Sequence, residues 1–134
     1  MTEEFHMTAA TLDLVRRALI GGTILVVGGD RRDASIARLK TALRLKEVVH
    51  RETRESDASS KRFASALSLP GVLLAVAVRG HSRTHHAQEL HRMARAIGLP
   101  VIDCYHIPHP NRLANDIERL RLLDSIARRA GRAA

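Results

Sequence analysis

Histidine and arginine side chains that can bind metals and anions gather in one stretch, Arg79 to His86. The stretch reads Arg-Gly-His-Ser-Arg-Thr-His-His and follows an apolar run from Val72 to Val78. Neutral imidazole is a ligand for zinc, copper, nickel and iron, and the guanidinium fork pairs with phosphate and carboxylate. An apolar strand that turns into a helix is also where an open parallel sheet places its ligand. The stretch therefore predicts the working site of the protein.

Further histidines follow the other predicted strands. His50 follows the second strand, and His106 and His109 follow the fourth. The carboxyl ends of parallel strands share one edge of a sheet, so we expect these rings to converge there. The predicted metal ligands are His86, His85, His81 and His106.

Haem is the first cofactor that this set of residues predicts, and another histidine-ligated transition metal is the second. A haem pocket needs one or two axial ligands, aliphatic walls and cations for two propionates. We expect His86 or His85 as the axial ligand, with His81 or His106 as a distal or second ligand. Binding of a diatomic gas or sensing of redox state would be the role. The low aromatic content, 2%, counts against a standard haem pocket. The lack of a His-Glu-x-x-His motif counts against a standard zinc site.

A second function is predicted by the glycines at the end of the first strand. Gly28-Gly29-Asp30-Arg31-Arg32 would let the backbone approach a ligand and would lead into a helix start that favours an anion. Neither the G-x-G-x-x-G pattern nor a Walker lysine is present, which disfavours NAD, FAD and ATP. The alternative function is thus a binding module for a phosphorylated small molecule or nucleic acid; the simpler interpretation is a tight turn. The predicted cofactor-binding residues are Gly28, Gly29, Asp30, Arg31, Arg32, Arg79, Ser82, Arg83 and Tyr105.

Catalysis by side chains alone is disfavoured. Ser82 lies near His81 and His86, but no G-x-S-x-G elbow surrounds it, and a helix N-cap explains it better. Cys104 lies in a predicted buried strand and is expected to pack there. We therefore predict a binding protein more readily than an enzyme.

Composition narrows the class of protein. The 134 residues are 45% hydrophobic and carry a formal charge of +8, with 19 arginines among the 22 basic residues. Nucleic acid is a less favoured partner than a small molecule, because neither a helix-turn-helix signature nor an aromatic stacking platform accompanies the charge. A single cysteine, the absence of an apolar run of about 20 residues and the absence of a signal-peptide pattern predict a cytoplasmic protein that does not enter membranes.

Alternating apolar runs and amphipathic segments predict an α/β fold. We expect a half-Rossmann, three-layer sandwich whose four parallel strands lie in the order 2-1-3-4. One domain is predicted over residues 1–134, with an N-terminal helix over 8–20, an α/β core over 23–105 and one C-terminal helix over 111–129. The apolar stripes of the two terminal helices predict a homodimer. The stripe of the last helix is Leu113, Ile117, Leu120 and Ile126.

Four short motifs occur in a set order along the chain: Val27-Gly28-Gly29-Asp30, His50, the stretch from His81 to Ala87, and Gly98-Leu99-Pro100-Val101. In this order, over roughly Thr23 to Asn115, the chain resembles the bacterial "domain of unknown function 2325" family. That family usually carries adjacent Ser-His-Asn-Ala at the start of the third helix. This chain has His81-Ser82 and then Thr84-His85-His86-Ala87 in that place. The resemblance implies the fold rather than an activity.

Overall fold

A computed structural model of the chain describes residues 9–29, 32–51, 65–78 and 84–131, and for 84–87 it describes the backbone alone. Four parallel strands form one sheet in the order β2-β1-β3-β4, with helices on both sides, which confirms the predicted α/β architecture. The strands are β1 (Thr23–Val27), β2 (Glu47–Arg51), β3 (Val72–Val78) and β4 (Val101–Cys104). The helices are α1 (Ala9–Leu19), α2 (Asp33–Ala42), α3 (Thr84–Ala96), α4 (Pro110–Arg119) and α5 (Leu123–Arg129), with a 3-10 helix at Ser65–Ser68.

The two central strands are buried on both faces, as their unbroken apolar sequences predict. Every residue of β1 and of β3 is buried. One face packs against α1, α2, α4 and α5, through side chains such as Val15, Leu39 and Ile117. The opposite face packs against the 3-10 helix and α3, through Leu67 and Leu90. Covering both faces explains why these strands lack the alternation of apolar and polar residues found in one-sided sheets.

The predicted single C-terminal helix is wrong, because the chain turns at Arg121 and forms two helices. Arg121 has a φ of 57°, and its amide donates to the Glu118 carbonyl while the Leu122 amide donates to the Ile117 carbonyl. These bonds close the end of α4 in a Schellman motif. Leu120, predicted to be buried, is 43% exposed. Helix α5 follows this turn, and its Ile126 is buried in the same core cluster as Ile117 of α4.

The apolar residues Ile36, Leu39, Leu43 and Leu45 predict one helix, but α2 ends at Ala42. Leu43 and Leu45 are buried, but both lie beyond the helix, on either side of Arg44 with its φ of 53°. The sequence also predicts a short helix over 61–69 and a fourth strand over 101–105. The described part of the first is a 3-10 helix, and β4 ends one residue before Tyr105. The polar segment 51–60, predicted as a loop, lies outside the described residues except for Arg51, which belongs to β2.

The terminal helices cover the sheet of their own chain. Val15 and Leu19 of α1, Leu113 and Ile117 of α4, and Ile126 of α5 are fully buried in one cluster. Most of the apolar stripe is therefore covered within the chain, with Leu120 as the exception, and the homodimer stays a prediction. None of the described helices combines the length and the apolar character needed to cross a bilayer.

Candidate functional site

The turn after β1 is built from two glycines with left-handed backbone. Gly28 has a φ of 93° and Gly29 a φ of 70°. The Gly28 amide donates to the Arg51 carbonyl at 2.9 Å, which joins the turn to the end of β2. A Cβ placed on Gly29 would lie 2.7 Å from Cγ1 of Val78. Both the backbone conformation and the close packing against β3 therefore require glycine at position 29.

His50 lies within strand β2, and its side chain contacts this turn. It is the fourth residue of that strand, pairs with Val26 of β1 and is 8% exposed. Its Nε2 lies 2.8 Å from the carbonyl oxygen of Gly28. Side chains alternate along a strand, so His50 shares the face of Val48, which is the face that α2 covers. Sequence reasoning placed His50 after the strand and did not include it among the ligands.

The second ring nitrogen of His50 is buried without a partner. Within the described part of the chain, Nδ1 is the one buried side-chain nitrogen or oxygen that lacks a hydrogen bond. A carbonyl oxygen only accepts hydrogen bonds, so the hydrogen of the neutral ring must be on Nε2. Nδ1 then carries a lone pair that faces no donor among the described residues. Buried polar atoms are nearly always satisfied, so Nδ1 calls for a donor, which is either a water molecule or a group of a ligand.

Helix α2 begins next to the same turn. Its N-cap residue, Arg32, is exposed, has extended backbone and makes no side-chain capping bond. The first amides of an α-helix have no intrahelical partners and favour an anion. The guanidinium of Arg51 folds back onto the carbonyl of His50 at 3.3 Å, and Asp33 is the acidic residue of the first turn. This end of the sheet therefore contains the first amides of α2, the guanidinium groups of Arg32 and Arg51, and the buried imidazole of His50.

The end of β4 is different, because its histidines are exposed. Tyr105 is 78% exposed, and its ring centroid lies 6.4 Å from that of His106, also exposed. His109 is the N-cap of α4, where its Nδ1 accepts a hydrogen bond from the Asn111 amide at 3.1 Å. The predicted site residues Tyr105 and His106 thus lie together, and the nearby His109 serves as a helix cap.

Sequence reasoning missed a histidine–carboxylate pair between α3 and β4. Nε2 of His91 lies 3.0 and 3.1 Å from the two carboxylate oxygens of Asp103, and both side chains are partly exposed. The pair ties the helix to the edge strand. Its members are twelve residues apart on different elements, so no periodic pattern in the sequence indicates that they meet.

Cys104 is held in its neutral form. Burial, and secondly the negative charge of Asp116, raise the pKa of the thiol from 9.0 to about 11, against a smaller opposing effect of Arg112. The nucleophilic form of cysteine is the thiolate. The raised pKa agrees with the predicted packing role.

The remaining predicted ligands lie outside the described part of the structure. Gly28, Gly29 and Arg32 come together at the end of β1, and Tyr105 with His106 at the end of β4. Among the side chains that the structure describes, no group of three or more His, Cys, Asp or Glu is arranged to hold a metal ion. Outside this description fall Asp30, Arg31, Arg79, His81, Ser82 and Arg83, as well as the side chains of His85 and His86.

Comparison with known proteins adds no relative. A scan against protein-family models, a search of curated proteins and a search of solved structures each find no match for this chain. The resemblance to the "domain of unknown function 2325" family therefore stays a prediction based on its motifs. Function has to be argued from the site itself.

Proposed function

We propose that this protein is a binding module for a phosphorylated small molecule, held where β1 ends and α2 begins. The observation that carries the proposal is that three features occur together at one edge of the sheet: the Gly28–Gly29 turn, the start of α2, where Arg32 makes no side-chain capping bond, and the buried His50 with its unpartnered Nδ1. This is the edge at which open parallel sheets bind ligands.

Each part of this arrangement suits a phosphate group. The left-handed glycines bring bare backbone to the ligand, and the first turn of α2 supplies amide donors aligned with the helix dipole. Arg32 adds a guanidinium that can make two parallel bonds to phosphate oxygens. Asp33 opposes an anion here, so the affinity of the site is set by the balance between Asp33 and Arg32.

Calorimetry and thermal shift with phosphorylated compounds test the proposal. Binding of ribose 5-phosphate should weaken as salt rises, weaken in Arg32→Ala and strengthen in Asp33→Asn. Arg38→Ala removes an exposed guanidinium further along α2 and is the matched control, which should bind as the wild type does. Binding that is absent, or that falls equally in Arg32→Ala and Arg38→Ala, would show that the start of α2 is not the site.

Haem or another histidine-ligated metal is the second proposal, with His86 or His85 as the axial ligand and a gas-binding or redox-sensing role. The observation in its favour is the exposed ring of His106 beside Tyr105, which leaves an imidazole accessible at the same edge. Protein produced with iron and a haem precursor should then show a Soret band that His86→Ala or His85→Ala removes. A colourless protein that does not bind added haemin would exclude the haem form of this proposal.

A further inference from the structure

We infer that His50 accepts a hydrogen bond from a hydroxyl group of the ligand, so that the ligand is a phosphorylated polyol of the sugar-phosphate class. The inference rests on the proposed function, because it identifies the part of the ligand that lies beyond the phosphate. Nδ1 of His50 is the one buried side-chain nitrogen or oxygen among the described residues that has no hydrogen-bond partner.

The hydrogen bond to Gly28 decides what Nδ1 can do. Nε2 lies 2.8 Å from the Gly28 carbonyl oxygen, and only an N–H group can satisfy that contact. The neutral ring is thereby fixed in one tautomer, with Nδ1 as an acceptor. The bond also fixes the orientation of the ring, because it ties the side chain to a turn whose backbone is held by Arg51 and by packing of Gly29 on Val78.

A buried acceptor discriminates between ligands by whether they supply a hydrogen-bond donor. A ligand that brings a hydroxyl satisfies the lone pair, whereas a ligand of the same shape without a hydroxyl covers it and leaves it unsatisfied. Sites that hydrogen-bond a substrate hydroxyl discriminate more strongly than apolar pockets for this reason. His50 is therefore placed to set specificity, while the turn and α2 hold the phosphate.

The partner of this lone pair must be a hydrogen-bond donor. The start of α2 favours an anion over a cation. A hydroxyl group on a phosphate ester meets both requirements, and a phosphorylated polyol carries one.

The test compares ribose 5-phosphate with pentyl phosphate, which carries the same phosphate ester on five carbons without a hydroxyl. The wild type should bind ribose 5-phosphate about tenfold more tightly, the value of one net hydrogen bond. His50→Leu removes both ring nitrogens and puts no acceptor in their place. This variant should lose the preference and bind the two compounds with similar affinity.

Two further results separate this inference from the proposed function. Failure of the wild type to bind either compound overturns both. Equal binding of both compounds by the wild type overturns the role of His50 and leaves the phosphate site standing. If His50→Leu does not fold, ¹⁵N NMR of the wild type replaces it: the Nδ1 resonance should shift with ribose 5-phosphate but not with pentyl phosphate, and equal shifts would contradict the inference.

Discussion

The two edge strands, β2 and β4, use histidine in opposite ways at their carboxyl ends. His50 of β2 is buried, donates through Nε2 to Gly28 and has no partner for Nδ1 among the described residues. His109, after β4, is exposed, and its Nδ1 accepts a bond from the Asn111 amide. The same atom is thus available for a ligand in one region and already bonded in the other. Burial and tautomer, rather than the number of histidines, decide which ring can act on a ligand.

The chain that follows each strand explains the difference. After β2 the buried ring lies against the β1 turn and on the face covered by α2. After β4 the chain runs through Pro108 and Pro110, which are buried, so the histidine between them faces outwards. Proline fixes φ and is well suited to the first position of a helix, where Pro110 begins α4. The region after β4 is therefore a helix start, and the region between β1 and β2 is the better candidate site.

The largest loss of stability is expected when a side chain is added at Gly29. Gly29→Ala combines left-handed backbone with a Cβ placed 2.7 Å from Val78, and we expect unfolding to require about 2–4 kcal/mol less free energy. Chemical denaturation measures this change. Gly98→Ala is the matched control, since Gly98 has the same φ of 70° but no atom within 4 Å of the added carbon.

The control should lose only about 1 kcal/mol, the cost of the backbone conformation alone. Equal losses in the two variants would mean that the Gly29 turn is an ordinary turn without close packing. Contact with Val78 would then not distinguish Gly29 from Gly98.

The second prediction concerns the reactivity of Cys104, at the end of β4. With a pKa of about 11 instead of 9.0, its thiolate fraction at pH 8 is about 100-fold below that of an ordinary cysteine. Alkylation by iodoacetamide should be slower by about that factor, should rise about tenfold per pH unit up to about pH 10 and should level off above pH 11. Asp116→Asn should raise the rate severalfold, because the Asp116 charge helps to raise the pKa.

Asp13→Asn, in α1, is a control that should leave the alkylation rate unchanged, since Asp13 pairs with Arg17 and is not among the groups that shift the thiol. Rapid alkylation at neutral pH would mean that the region after β4 holds a nucleophile. The carboxyl end of β4 would then be the better candidate for the functional site.

The third prediction separates the structural from the ligand-binding role of His50. His50→Leu leaves the buried Gly28 carbonyl without its donor and should lower the free energy of unfolding by about 1–3 kcal/mol. His50→Gln can keep that bond and should lose less. His106→Leu, at an exposed position, should change stability by less than about 0.5 kcal/mol. Similar losses for His50→Leu and His106→Leu in denaturant titrations would remove the contrast between buried and exposed histidine.

Glycine explains which helix ends were predictable from the sequence. Gly98 marks the end of α3, and the amides of Gly98 and Leu99 close that helix on Arg95 and Ala94. The same bonding pattern ends α2 at Arg44 and α4 at Arg121, where no glycine indicates a left-handed residue. The burial of the central strands on both faces followed from their apolar runs. The strand order followed from the alternation of strands with helices and from right-handed crossovers.

The candidate site was predictable only in part for a related reason. The glycine pair after β1 indicated an approach of backbone to ligand, and the structure gives both residues the left-handed backbone that this requires. The role of His50 depends on a contact with a residue 22 positions away and on the tautomer that this contact selects. The pairing of His91 with Asp103 depends on how α3 packs on β4. Such long-range contacts leave no mark in local sequence patterns.

The smallest effect is expected at His109, and it tests the other half of the comparison. If its Nδ1 serves only as a helix cap, His109→Ala should lower stability by about 0.5–1 kcal/mol and leave phosphate-ester binding unchanged. His109→Asp should restore or exceed wild-type stability, because aspartate is a better N-cap and its charge suits the amino end of α4. Loss of ribose 5-phosphate binding in His109→Asp, with stability intact, would mean that the region after β4 contributes to the site and that its histidines are not confined to capping.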